Sequence, residues 1–149
     1  MKTHLDREFI ERKLQAIALY IRRLHVVLES SDADIRDDFF KLHTLERLIQ
    51  LIVDEIVDIN THVIRYGDFS VPDDFQSSFL VLAEGGVFPR DFAERIAPTV
   101  GLRNRLVHRY EAIDPILLIR MARAESGDFR EYAEYILRLF SFYGENQNP

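Results

Sequence analysis

The chain has 149 residues, 47% of them hydrophobic and 30% charged, a composition that excludes a disordered segment and fits one globular domain. It contains no cysteine, which excludes disulfides, zinc–thiolate sites and thiol nucleophiles and fits a reducing, cytoplasmic setting. A net charge of −6 excludes a broadly basic nucleic-acid-binding face but leaves room for a small cationic site.

The first stretch, MKTHLDREFIERK, is charged throughout and carries no apolar signal-peptide core. No apolar run approaches the roughly 20 residues of a membrane span. Between residues 6 and 29, Phe9, Leu14, Ile17, Ile21, Leu24 and Leu28 recur at helical spacing and predict an amphipathic helix. SSDAD (30–34) supplies capping chemistry for a second helix, expected from about Ile35 to Tyr66. In that segment Leu45, Ile49, Ile52, Ile56, Ile59 and Val63 alternate four and three residues apart, as in a coiled-coil seam. Leu48, Val53, Val57 and Ile64 widen the apolar surface, so this helix is either central or shared with another subunit. Gly67 is placed to stop it. SVPDDFQSSFLVLAEGG (70–86) reads as a short helix with Pro72 near its first position. Pro89 opens a fourth helix and Pro98 interrupts it. Asp114-Pro115 starts a final helical region, which SGD (126–128) is expected to break before FREYAEYILRLFSFY. The tail 144–149 is expected to fray. The reading is a single all-α domain over 1–149, a bundle of about five helices.

RNRLVHRY (103–110) concentrates cations in this acidic chain. Wound as a helix, Val100, Leu102, Arg103, Leu106, Val107 and Tyr110 fall on one arc, opposite Asn104, Arg105, His108 and Arg109. Arg105 and Arg109 are ordinary surface residues by position. Arg103 intrudes on the apolar arc, where a guanidinium is costly unless it is paired or faces a cleft. It either pairs with a carboxylate such as Asp58 or Glu55, or serves a site. His108 is either a surface hydrogen-bonding group or an acid–base group, and Asn104, four residues before it, shares its face. Tyr110 on the buried arc would send its hydroxyl to a partner. Elsewhere, Asp54, Asp58 and His62 stand at i, i+4, i+8 and could offer a metal three ligands. Arg47 and Arg65 lie on the same face and would compete for those acids, so an ion-paired surface is the simpler reading. Phe129, Tyr132, Tyr135, Phe140, Phe142 and Tyr143 make the C-terminal region aromatic, which suits core packing or protein docking better than base stacking.

Arg103, His108 and Tyr110 together form R-x4-H-x-Y, and the chain resembles the HepT-like toxins, a branch of the HEPN ribonuclease superfamily. ERLIQLIVDEIVDINTHVI (46–64) resembles the long second helix of that family. FLVLAEGGVFPRDFAERIAPTVGLRNRLVHRY (79–110) is similar to its run into the motif, and IDP (113–115) follows in place. The resemblance covers about Asp6 to Leu118. It implies an all-α, HEPN-like homodimer that cleaves RNA without a metal or other cofactor, with Arg103 and His108 as the catalytic pair. It implies supporting roles for Asn104 and for Asp58 on the cleft wall. It further implies inhibition by a cognate minimal nucleotidyltransferase antitoxin that transfers AMP to Tyr110, in a toxin–antitoxin assembly that includes hetero-oligomers. The competing class is a catalytically weak HEPN module that serves as a nucleotidyltransferase partner.

The motif also poses a geometric problem. Five residues separate Arg103 from His108, about 140° on a regular helix. Either the helix distorts after Gly101, or a two-fold dimer brings two motifs into one groove.

Overall fold

The computed structural model of the protein describes residues 5–108 and 113–145. Among these, seven helices follow one another with no strand between them. They are α1 (Arg7–Leu28), α2 (Asp32–Asp37), α3 (Phe39–Tyr66), α4 (Ser78–Glu84), α5 (Arg90–Ile96), α6 (Pro98–His108) and α7 (Pro115–Glu145). The all-α reading is correct, with more pieces than the periodicity alone suggests.

Short polar side chains set the helix starts. Asp6 accepts from the Phe9 amide at 3.1 Å to begin α1, and Ser31 accepts from the Asp34 amide at 3.2 Å to begin α2. Asp38 has an extended backbone (φ −106°, ψ 103°), so it ends α2, and its carboxylate caps the Phe40 and Lys41 amides of α3. The segment expected to run unbroken from Ile35 is therefore two helices joined at an aspartate. Gly67 ends α3 as expected. The helix expected at Pro72 begins later, at Ser78. Asp74 and Ser77 exchange hydrogen bonds of 2.7 and 3.1 Å, which fold the intervening residues into turns. The Gly85-Gly86 exit puts Gly86 at φ 85°, a left-handed turn that glycine enters cheaply.

Asp114 caps the start of α7 through the Ile116 amide at 2.8 Å. SGD does not break this helix. Gly127 faces open space in mid-helix, and the Ser126 hydroxyl donates to the Arg123 carbonyl at 3.2 Å. One helical glycine costs about 1 kcal/mol, whereas burying Phe129, Tyr132 and Ile136 on the same helix returns several times that.

The seam of α3 is the centre of the core. Leu45, Ile49, Ile52, Ile56, Ile59 and Val63 are all fully buried. α3 packs against α1, α2, α4, α6 and α7, so its apolar breadth is used within the chain. A buried polar relay ties three of these helices together. Tyr132 of α7 donates to Asn60 Oδ1 of α3 at 2.6 Å, and Asn60 Nδ2 donates to Ser78 Oγ of α4 at 3.0 Å. The C-terminal aromatics split as core packing predicts. Phe129 and Tyr132 are buried, and Phe88, Phe92, Tyr132 and Tyr135 form a ring cluster with centroids 5.1–6.2 Å apart. The side chains of Phe142 and Tyr143 lie outside the described residues. No helix among the described residues is long and apolar enough to cross a membrane.

Candidate active site

α6 is an unbroken helix from Pro98 to His108, with Gly101 inside it. The distortion that would have let one helix focus Arg103 and His108 together does not occur. Thr99, Val100, Leu102 and Leu106 are buried and anchor the helix. Val107, expected on the buried arc, is 41% exposed. The arc is narrower than expected, and Arg103 sits on its rim. From there its guanidinium crosses to α3, where Nε donates to Asp54 Oδ1 at 2.7 Å. Nη1 donates to Asn104 Oδ1 at 3.2 Å, so Asn104 braces the arginine.

The expected carboxylate was Asp58 or Glu55; the observed one is Asp54. Asp58 and Glu55 instead share Lys13 of α1, at 2.8 and 3.0 Å. Burial pulls the Lys13 ammonium pKa down, but hydrogen bonds and charge from Asp58 and Glu55 outweigh that and raise it. Asp58 thus faces α1, one turn along α3 from the arginine. Sequence reasoning placed Asp54 only in the metal triad and missed its contact with Arg103. The usable signal was its position four residues before Asp58, on the same face of α3.

That triad is divided among other partners. Asp54 holds Arg103 and Asp58 holds Lys13. His62 accepts from the Asp6 amide through Nε2 at 3.0 Å and stacks between Phe9 and Tyr66, with centroids 4.7 Å from each. Burial, helped by Arg65, lowers the His62 pKa despite Asp6. The cations expected to compete for the acids go elsewhere. Arg47 donates to Gln50 at 3.3 Å and Arg65 lies over the Tyr66 ring at 5.5 Å. Among the described residues, no group of three or more His, Asp or Glu is arranged to hold a metal ion.

The direction of α6 fixes what surrounds the motif. Pro98 at its start lines an open surface pocket with Gln76 and Ser77, next to Ser78, which bonds Asn60 of α3. Arg103 meets Asp54, earlier in α3, so α6 runs antiparallel to α3 and carries His108 toward the Phe39 end. Arg105 and His108 are exposed. Tyr110 and Arg109 lie outside the described residues.

Comparison with known proteins places this arrangement in a family. The ribonuclease HepT-like family matches residues 5–136. A tRNA nuclease HepT from Aphanizomenon flos-aquae is 31% identical over 140 residues, covering 94% of this chain and 93% of the relative. An mRNA nuclease HepT from Shewanella oneidensis is 22% identical over 129 residues, 87% of this chain and 96% of that protein. A tri-AMPylated Shewanella oneidensis HEPN toxin, solved in complex with its MNT antitoxin, superposes with a TM-score of 0.82 at 22% identity, covering 89% of this chain and 98% of that one. With most of its length matched by the family and by a relative 31% identical, the chain belongs to the ribonuclease HepT-like family and is by class an endoribonuclease.

Proposed function

We propose that the protein is the toxin of a toxin–antitoxin pair, cutting RNA without a metal ion through Arg103 and His108. In this reading a cognate minimal nucleotidyltransferase silences it by transferring AMP to Tyr110. The observation that carries the reading is the arginine on the rim of α6. Asp54 and Asn104 orient its guanidinium while 30% of the side chain stays exposed, so its terminal N–H groups can meet a phosphate. The chemistry follows from these groups. His108 takes the proton from a ribose 2′-hydroxyl, whose oxygen attacks the adjacent phosphorus, and Arg103 balances the phosphorane charge. The bond to the 5′-oxygen breaks, and that oxygen takes a proton from a second acid. The products are a 2′,3′-cyclic phosphate and a 5′-hydroxyl. Asp54 and Asp58 are each engaged by a cation, which supports a route that uses no carboxylate-bound metal.

A dimer supplies the second acid. Arg103 and His108 diverge on one regular helix, and exposed Val107 (41%), inside the motif, offers apolar surface to a second copy. Two motifs facing across a two-fold axis bring one protomer's arginine to its partner's histidine. AMP on Tyr110, two residues past His108, would set a bulky anion in that groove and repel the substrate phosphate.

The test is expression in cells lacking the partner. Wild type should arrest growth, and Arg103→Ala and His108→Ala should each relieve the arrest. Toxicity that survives in both variants would overturn the assignment. Co-expression with the cognate nucleotidyltransferase should add AMP-sized masses that are absent in Tyr110→Phe. A wild-type chain that stays unmodified would remove the regulatory half of the proposal.

A further inference from the structure

The face of α3 that holds Arg103 continues past the site. Counting back from Asp54, residues Gln50, Arg47, His43, Phe40 and Phe39 all fall within about 60° of it on the helix. With Asp54 they form one stripe about 22 Å long, at the 1.5 Å rise per residue. Because α6 runs antiparallel to α3, His108 is carried toward this stripe. Arg47 is exposed and braced by Gln50 Oε1 at 3.3 Å. His43 is 60% exposed, with Nδ1 3.2 Å from Glu46 Oε2 and its ring 6.2 Å edge-on to Phe39. Phe39 and Phe40 are 61% and 71% exposed, yet their rings stack on each other at 4.2 Å.

Two large aromatic rings standing together in water are a costly surface unless something covers them. Their neighbours narrow what that is. A face meant for a protein core would be apolar along its length, whereas this one sets a pair of rings at one end and polar groups, His43, Arg47, Gln50 and Asp54, along the rest. The cations it offers are Arg47 and, held by Asp54, Arg103, in a chain of net charge −6. It also runs directly into the candidate phosphate-binding arginine. Aromatic platforms interleaved with cations are the surface on which unpaired bases stack while their phosphates are gripped.

We infer that this stripe is a single-stranded RNA track: Arg47 grips a phosphate beside the scissile one, and the Phe39–Phe40 stack, flanked by His43, receives an unpaired base a few nucleotides away. The inference rests on the reading of the chain as an RNA-cleaving enzyme, and its test separates the two. It also confines the substrate to unpaired regions, since bases held in a duplex cannot reach the rings.

The chain has no tryptophan, so Phe40→Trp places a lone indole on the platform. A single-stranded oligonucleotide of deoxyribose backbone, which lacks the attacking 2′-hydroxyl, serves as an uncleavable probe. Its addition should quench the indole, and the same sequence as a duplex should not. In parallel, Phe39→Ala/Phe40→Ala should weaken single-stranded RNA binding about tenfold. Arg47→Ala should lower the salt dependence of binding by about one counterion. No quench, with affinity unchanged in both variants while cleavage proceeds, overturns the track and leaves the ribonuclease reading standing. Quenching and weakened binding without any cleavage by the wild type supports the track and removes the catalytic assignment. Unchanged RNA affinity, with a smaller sedimenting species or loss of nucleotidyltransferase binding in Phe39→Ala/Phe40→Ala, makes the stripe a protein interface and overturns the proposal.

Discussion

Arg103 and Asp54 meet at 2.7 Å with 30% and 39% of their side chains exposed. An ion pair this wet contributes about 0–1 kcal/mol to stability, too little to explain an arginine on the rim of an apolar face. What the pair does supply is direction. Asp54→Ala should therefore leave the melting temperature nearly unchanged while lowering kcat about 100-fold, because a misaimed guanidinium no longer meets the developing phosphorane. Asp54→Asn, which keeps an acceptor for Nε, should recover much of that loss. Steady-state kinetics beside a thermal melt checks the pair, and a melt that falls in step with kcat would make Asp54 merely structural. Glu125 on α7 makes an independent point. One of its carboxylate oxygens is buried with no hydrogen-bond partner. Burial, reinforced by the charge of Asp128, raises its pKa from 4.5 to about 7. The folded state thus holds this proton more tightly than the unfolded one. Its contribution is fully present below about pH 4.5 and is lost as the pH rises toward 7. Glu125→Gln should flatten that decline and stabilise the protein by on the order of 1–2 kcal/mol at pH 8, read by urea unfolding at several pH values.

At the scale of the element, the periodic signals were legible and the joints were not. The α3 seam was readable because six apolar positions at alternating spacing outweigh any single residue, and each of them is buried. The division at Asp38 was hidden because an aspartate can either sit on a helix surface or cap a new helix, and backbone angles decide which. Gly127 misled in the opposite sense, since the burial of Phe129 and Tyr132 carries the helix through a weak position. That gives a direct prediction. Gly127→Ala meets nothing within 4 Å and should raise stability by about 0.5–1 kcal/mol, seen as a higher denaturant midpoint at unchanged slope. A loss of stability would mean that α7 needs the glycine's freedom. Asp54 stayed hidden for a similar reason as Asp38. Three acids lie close along α3, and only the rotation and direction of α6 decide which of them the arginine reaches.

For the whole molecule, the proposed chemistry requires two groups that point apart on one straight helix to meet at one phosphate. The α3 seam is buried inside its own chain, so in the proposed dimer the second subunit would engage the motif end of α6. The motif was readable as a set of residue types, but the direction in which each side chain leaves α6 was not, and the proposed two-fold assembly follows from that direction. The measurement closest to the central claim is the analysis of RNA ends after incubation of the purified protein with total RNA in EDTA. The chelator should leave cleavage intact, the products should carry 2′,3′-cyclic phosphate and 5′-hydroxyl ends, and Arg103→Ala or His108→Ala should give none. Cleavage abolished by EDTA, or products with 5′-phosphate ends, would contradict the claim.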